Sequence, residues 1–205
     1  MIFAKDDWIA ENSPIEPERL HAIGVIAFQW NACELGIRIL LAALKGPAFQ
    51  KTWAETANAR VGEILDQIDR AVMASIHRNS VDIKGAVRHA CTLYRVNGRN
   101  RNQFSHFLVS GSKTGLVLYN NKPRDFMEIF SRPPIESDLE DIRKVADEIT
   151  GCKRYIVALS NYLIAWYYHL PKSLFEPPPV PTKPPVPELH WAPPSQSPAK
   201  SKCRR

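Results

Sequence analysis

The sequence predicts a predominantly α-helical protein, a bundle of about four to five helices with a small β-hairpin insert. Apolar residues recur every three or four positions over most of residues 15–170, a spacing typical of amphipathic helices. The stretch "FLVSGSKTGLVLY" instead has two short apolar runs around glycines, which predicts a hairpin. Beyond Leu170 lie 11 of the 17 prolines, a composition that favours polyproline II or disorder. We therefore expect an N-terminal arm at 1–14, a helical domain at 15–170 and a disordered tail at 171–205.

The first helix is predicted to begin at Pro17, which suits a first turn, and to end at Gly46. Glu34 lies on its apolar seam, where a carboxylate needs a cavity, a partner or a position at the wet edge. The other residues of the seam are Leu20, Ile23, Ala27, Trp30, Ile37, Leu41 and Leu44.

Three more helices follow from the same periodicity. We predict one from about Arg60 to Ile76 and one from Val81 to Arg95 or beyond, with Gly98 as a point of interruption. Ser137 and Glu140 have capping-box spacing and predict the start of a long last helix, which Pro171 would end. Seams of this kind bury against other helices, which predicts a bundle.

The composition argues against several classes of protein. The N-terminal residues "MIFAKDDWIAENSP" carry acids where a signal peptide needs an apolar run, and the apolar segments fall short of a membrane span. We expect a cytoplasmic protein without membrane contact. The four cysteines are far apart and no histidines are spaced as ligands, so we assign no metal, no disulfide framework and no cofactor; the cysteines are Cys33, Cys91, Cys152 and Cys203.

Positive charge is concentrated in one segment. Residues 83–124 contain eight Lys or Arg and no Asp or Glu, although the whole chain carries a net charge of only +6. Such an asymmetry suits a polyanion such as nucleic acid. Arg95, Arg99 and Lys113 are our candidate nucleic-acid-binding residues; the alternative is that these side chains point in several directions and form no patch.

Within this segment lies "RNRNQFSHF", in which an Arg–Asn pair precedes a histidine. The part "RNQFSH", at the end of a helix in an all-α domain, resembles the motif of HEPN domains, found in many prokaryotic endoribonucleases and conflict-system toxins. The resemblance covers at most residues 15–170 and assigns Arg101, Asn102 and His106 to the motif, with Arg99 as an alternative arginine. It implies a homodimer with a composite site and, in a toxin, an antitoxin or other protein partner.

Metal-independent RNA cleavage fits these residue types. Histidine titrates near neutrality and can act as base or acid, and arginine can clasp two phosphate oxygens in a fork. Asn102 could orient the imidazole or the phosphate, and Glu34 is a candidate buried partner of Arg101 or His106. The expected activity is an endoribonuclease that leaves 2′,3′-cyclic phosphate ends.

Two other readings stay open. Arg and His complement the carbonyl end of any helix, so the motif can be an ordinary basic helix terminus. The chain would then be a non-catalytic helical module that binds RNA or a protein through the basic segment 83–124, or an interaction protein whose proline-rich tail recruits a partner.

Overall fold

Five helices make up most of the part of the chain that the computed structural model describes, which is residues 13, 15–75, 77, 79–105, 107–112, 115–120, 135–168 and 180–189. They confirm the prediction of a predominantly helical fold. The helices are α1 (Pro17–Leu44), α2 (Phe49–Thr56), α3 (Val61–Ala74), α4 (Val81–Ser105) and α5 (Leu139–Tyr168).

The longest interface of the core joins α1 and α5. Gly36 lets the two helices approach closely, because a Cβ at this position would lie 3.0 Å from Cγ2 of Ile156. Nearby, the Cys33 thiol reaches the carbonyl oxygen of Ile149 at 3.5 Å. Helices α3 and α4 complete the core, and α2 packs on α1.

The buried face of α1 differs from the predicted seam in its first half. Trp30, Ile37, Leu41 and Leu44 are buried as predicted, but Ala27 is exposed. The residues that enter the core there are Ala22 and Ile26, and farther along the helix Cys33 and Leu40 join them. A 3–4 spacing can be read along more than one face of so apolar a helix, and the contact with α5 selects the face that is buried.

By length and composition alone, α1 could also cross a membrane. The same helix supplies much of the buried core, and a core helix passes this test too. The absence of membrane contact and the cytoplasmic location stay predictions.

The predicted helix ends are correct for α1 and shifted for α5. The chain leaves α1 after Leu44, and Gly46 takes a φ of 54°, which glycine adopts without steric cost. At α5 the predicted cap is wrong by one residue. The backbone N–H of Asp141 donates to Oδ1 of Asp138 at 2.8 Å, whereas Ser137 is buried. Aspartate caps as well as serine, so the pattern alone could not choose between the two neighbours.

The expected interruption at Gly98 is wrong, because α4 continues through it to Ser105. The glycine serves packing instead: a Cβ there would lie 2.9 Å from Cη2 of Trp30. Gly98 therefore lets the indole of α1 lie directly against the backbone of α4.

Short strands follow α4. They are β1 (Phe107–Ser112), β2 (Gly115–Asn120) and β3 (Ile135–Ser137), arranged in the order β1-β2-β3 with antiparallel pairing. Phe107 lies opposite Asn120 and Leu116 lies opposite Ser137. Residues 113–114, between β1 and β2, lie outside the described residues, and the hairpin as a whole stays a prediction.

Most of the tail also lies outside the described residues, and its disorder is untested there. Residues 180–189 are the exception. They form no helix or strand and contact α4 through His89 and Asn100. Side chains of α4 thus bond to two tail carbonyls, and the disorder of the tail as a whole stays a prediction.

Replacing Gly98 by alanine is expected to destabilise the protein by about 1–3 kcal/mol, because the added methyl group overpacks the indole of Trp30. Gly151, inside α5, is the matched control, since a Cβ there meets nothing within 4 Å and Gly151→Ala should stabilise by up to about 1 kcal/mol. Urea unfolding measures both. The penalty should shrink in a Trp30→Phe background; equal stability of the two alanine variants would refute the close contact.

His77 should make the fold acid-sensitive. It is buried, with its ring edge-on to Trp166 at 5.7 Å, and burial lowers the pKa of His77 from its ordinary value of 6.5. As the pH falls below that value, the unfolded chain takes up a proton that the folded chain resists, so stability decreases.

Unfolding midpoints at pH 7.5 and 5.5 test this, since carboxylates titrate mainly below that range. The difference between the two pH values should be smaller in His77→Gln than in the wild type, whatever the absolute stability of the variant. An unchanged difference in His77→Gln would disprove the assignment.

Candidate nucleic-acid interface

The last two turns of α4 carry the described part of the motif. Arg99, Asn100, Arg101 and Asn102 are all helical, so the arginines have fixed directions on one helix. The predicted His106 and Lys113 lie outside the described residues.

Arg101 points toward α1. Its guanidinium carbon lies 5.7 Å from the centroid of the Trp30 ring, and its Nη1 donates to Oδ1 of Asn102 at 3.1 Å. The side chain is half-buried. A cation over an indole is attracted by about 0.5–2 kcal/mol, depending on how far it is desolvated. Trp30 and Asn102 thus define the orientation of Arg101.

Glu34 holds the other side of the same indole. Trp30 Nε1 donates to Oε1 of Glu34 at 2.9 Å, and the indole lies 4.5 Å from the ring of Tyr94. Burial raises the pKa of Tyr94, the carboxylate of Glu34 adds to this rise, and Arg101 opposes it. The predicted partner residue Glu34 therefore belongs to the same cluster as Arg101, and Trp30 is the group it contacts.

Arg99 occupies a different environment from Arg101. Residues two apart on a helix point about 200° apart around its axis, and Arg99 is exposed to solvent while Arg101 faces Trp30. The doubled "RNRN" therefore does not place two equivalent arginines at one site. Arg101 belongs to the α1–α4 contact, and Arg99 belongs to the outer surface of α4.

Arg99 is the last member of a row of cations that we call the basic stripe, formed by Lys84, Arg88, Arg95 and Arg99. Successive members are four, seven and four positions apart, which places all of them on one side of α4. Arg88, Arg95 and Arg99 are exposed and Lys84 is half-buried. Within the described part of the chain, none of the four forms an ion pair.

One acidic residue acts near the middle of the basic stripe. Burial raises the pKa of the Cys91 thiol to about 11, the carboxylate of Asp69 adds to this rise, and Arg95 opposes it. Arg95 on α4 and Asp69 on α3 therefore influence the same thiol from two helices. Arg88 and Arg99 lie on either side of Arg95 along the stripe, and both are exposed.

Two asparagines of α4 are buried. Asn97 is fully buried, and its Nδ2 donates to the carbonyl oxygen of Leu93 at 2.9 Å; among the described residues no donor reaches its Oδ1. Asn100 is 2% exposed and its Nδ2 donates to the carbonyl oxygen of Glu188 at 3.0 Å. Sequence reasoning missed both. The available signal for Asn97 was its position on the seam between Leu93 and Phe104.

The described residues contain no cluster of three or more His, Cys, Asp or Glu side chains that could hold a metal ion.

In comparisons with known proteins, no family model, no curated protein and no solved structure matches the chain.

Proposed function

We propose that the chain binds RNA along the basic stripe of α4 and cleaves it, without a metal, through Arg101, Asn102 and His106. The observation that carries the proposal is the geometry of α4. One helix presents four cations without ion-pair partners in the described part of the chain, and the last of them, Arg99, lies beside the motif. A strand of RNA held on the stripe would lead to the motif.

The basic stripe has a suitable length and charge for this role. From Lys84 to Arg99 the helix rises by about 22 Å, at 1.5 Å per residue, which spans several phosphates of a single strand. Contacts to phosphates do not distinguish one base from another. They position the RNA backbone, so any preference for a particular RNA sequence would need other contacts.

In the proposed reaction Arg101 stabilises charge on the phosphoryl oxygens and His106 transfers the protons. Fixed cations aimed at a developing charge are often the largest contribution to catalysis. Nη1 of Arg101 donates to Oδ1 of Asn102, and a guanidinium can clasp two oxygens of a phosphate in a fork. Asn102 is exposed and would orient the phosphate or the imidazole.

A single histidine does not easily serve as both base and acid, which favours a composite site made by two copies of the chain. A homodimer with two motifs in one groove is therefore part of the proposal. The proposed enzyme is of the HEPN type. Its proposed role is that of a toxin or antiviral effector, with an antitoxin as a protein partner.

The non-catalytic alternative has an observation of its own in its favour. Arg101 rests on Trp30 and bonds to Asn102 within the protein, whereas the basic stripe is exposed. A module that only binds RNA, or an acidic protein, needs no more than the stripe. Cleavage and binding must therefore be measured separately.

Binding is tested with the triple variant Arg88→Gln/Arg95→Gln/Arg99→Gln and a labelled single-stranded RNA. Each lost phosphate contact lowers the slope of log affinity against log salt by about 0.7, so the slope should fall by about 2. The matched control replaces Arg60, Arg70 and Arg154, which are exposed and lie outside α4, and changes the net charge equally. An equal loss in both triples would refute a specific role of the stripe.

Cleavage is tested on a mixed RNA pool in EDTA, with dimerisation followed by light scattering. The wild type should leave 2′,3′-cyclic phosphate ends, and His106→Ala should reduce the rate by about 100-fold or more while His21→Ala does not. Arg101→Gln and Arg99→Gln, compared side by side, identify the functional arginine. Uncut RNA with a folded wild-type dimer would contradict the nuclease proposal and leave the binding module.

A further inference from the structure

Residues 180–189 of the tail, which we call the strap, lie along α4 and form no helix or strand. His89 contacts it at Pro184, and Asn100 contacts it at Glu188. The residue that comes later in α4 contacts the residue that comes later in the strap, so the strap runs parallel to the helix. Val180, at its start, packs against the hydrophobic core.

Burial along the strap repeats every third residue. Pro181, Pro184 and Pro187 are half-buried, while each pair of residues between them is exposed. A polyproline II helix has three residues per turn, so positions three apart share one face. The burial pattern is thus that of a polyproline II helix with the three prolines on the face toward the protein.

Helix α4 satisfies the polar backbone of the strap. Polyproline II has no internal hydrogen bonds, so its carbonyl oxygens accept bonds from neighbours. His89 Nε2 lies 2.7 Å from the carbonyl oxygen of Pro184, and Asn100 Nδ2 lies 3.0 Å from that of Glu188. A carbonyl can only accept, so His89 carries its proton on Nε2.

The strap also passes Gly85. The Nζ of Lys183, the end of a flexible and exposed side chain, would lie 3.0 Å from a Cβ at this position. The ring of His89 is held edge-on against Tyr155 at 5.4 Å, and the hydroxyl of Tyr155 donates to the carbonyl oxygen of Ala86 at 3.3 Å. The donor that meets Pro184 is thus oriented by the core behind it.

We propose that this surface of α4, formed by Gly85, His89 and Asn100, is a recognition site for polyproline II segments, with the strap as its internal ligand. Its partner in trans is a peptide with proline at every third position. Polyproline II peptides dock against aromatic side chains with their preformed helix, and here the ring of His89, backed by Tyr155, meets Pro184. The proposal does not depend on RNA binding.

The internal ligand controls access to the site. A segment tethered to its own binding surface acts at an effective concentration of about millimolar or higher, so it excludes weak competitors. The preset backbone of proline lowers the entropy cost of docking in the same way. A proline-rich partner would bind only where the strap is released.

The test uses the full chain with Pro184→Asp, which puts a charge on the buried face, and Pro185→Asp as a matched control on the exposed face. Both lie in the tail, beyond the last helix, and circular dichroism checks the fold. The probe is the labelled peptide VPTKPPVPEL, followed by NMR titration up to millimolar concentration. The peptide should bind the Pro184→Asp chain at least 10-fold more tightly than the wild type or the Pro185→Asp chain.

A second arm removes the donor. His89→Phe keeps a ring against Tyr155 but cannot bond a carbonyl, so peptide binding to the Pro184→Asp chain should weaken several-fold. Equal binding to all three chains, no binding to any of them, or an unchanged affinity after His89→Phe would each overturn the proposal.

Discussion

The contact between Trp30 and Gly98 determines how the candidate site is arranged. The indole lies against the backbone of α4 where any side chain would displace it, which fixes the distance between α1 and α4. Glu34 anchors the indole nitrogen, and Tyr94 and Arg101 flank its ring. A polar motif is thus built on an aromatic side chain of another helix. The direction of Arg101 depends on a glycine three residues before it.

The helices could be predicted from the sequence, because an apolar spacing of three and four indicates a helix, although for α1 it did not determine which face is buried. The end of α1 could be predicted too, since Gly46 suits a positive φ. Gly98 could not be assigned, because local propensity disfavours glycine in a helix and only the tertiary contact with Trp30 explains it. Likewise, the sequence shows two arginines in "RNRN", but which of them faces α1 depends on the face of α4 that is buried.

A polar residue on an apolar seam is a signal that the sequence does contain. Glu34 interrupts the seam of α1; it is half-buried and bonds to Trp30. Asn97, which was missed, interrupts the seam of α4 and is fully buried. Because a buried polar group needs a hydrogen-bond partner, such positions indicate where a helix makes a specific polar contact. The strap could not be foreseen in this way. Its prolines predict polyproline II, but docking depends on His89 and Asn100, about 90 residues earlier in the chain.

Helix α4 has three different faces. One face packs in the core, the next contacts the strap, and the third carries the basic stripe. Because the last two sides adjoin, Lys183 of the strap extends the positive surface near Gly85. RNA on the stripe would therefore lie beside the strap, so release of the strap would change the surface next to the bound RNA.

The position of Arg101 is compatible with a role in chemistry. Leaving the indole costs about 0.5–2 kcal/mol at most, whereas a hydrogen bond to a charged group contributes about 1.5–3 kcal/mol, and a guanidinium can form two to a phosphate. A phosphate at the end of α4 could therefore draw Arg101 away from Trp30, or bind it where it rests. No aromatic or ion-pair contact anchors Arg99 within the described residues, so it would reach a phosphate only at the cost of its own side-chain freedom. The anchored arginine is the better oriented of the two, and this physical difference, rather than the spacing to His106, favours Arg101 as the motif residue.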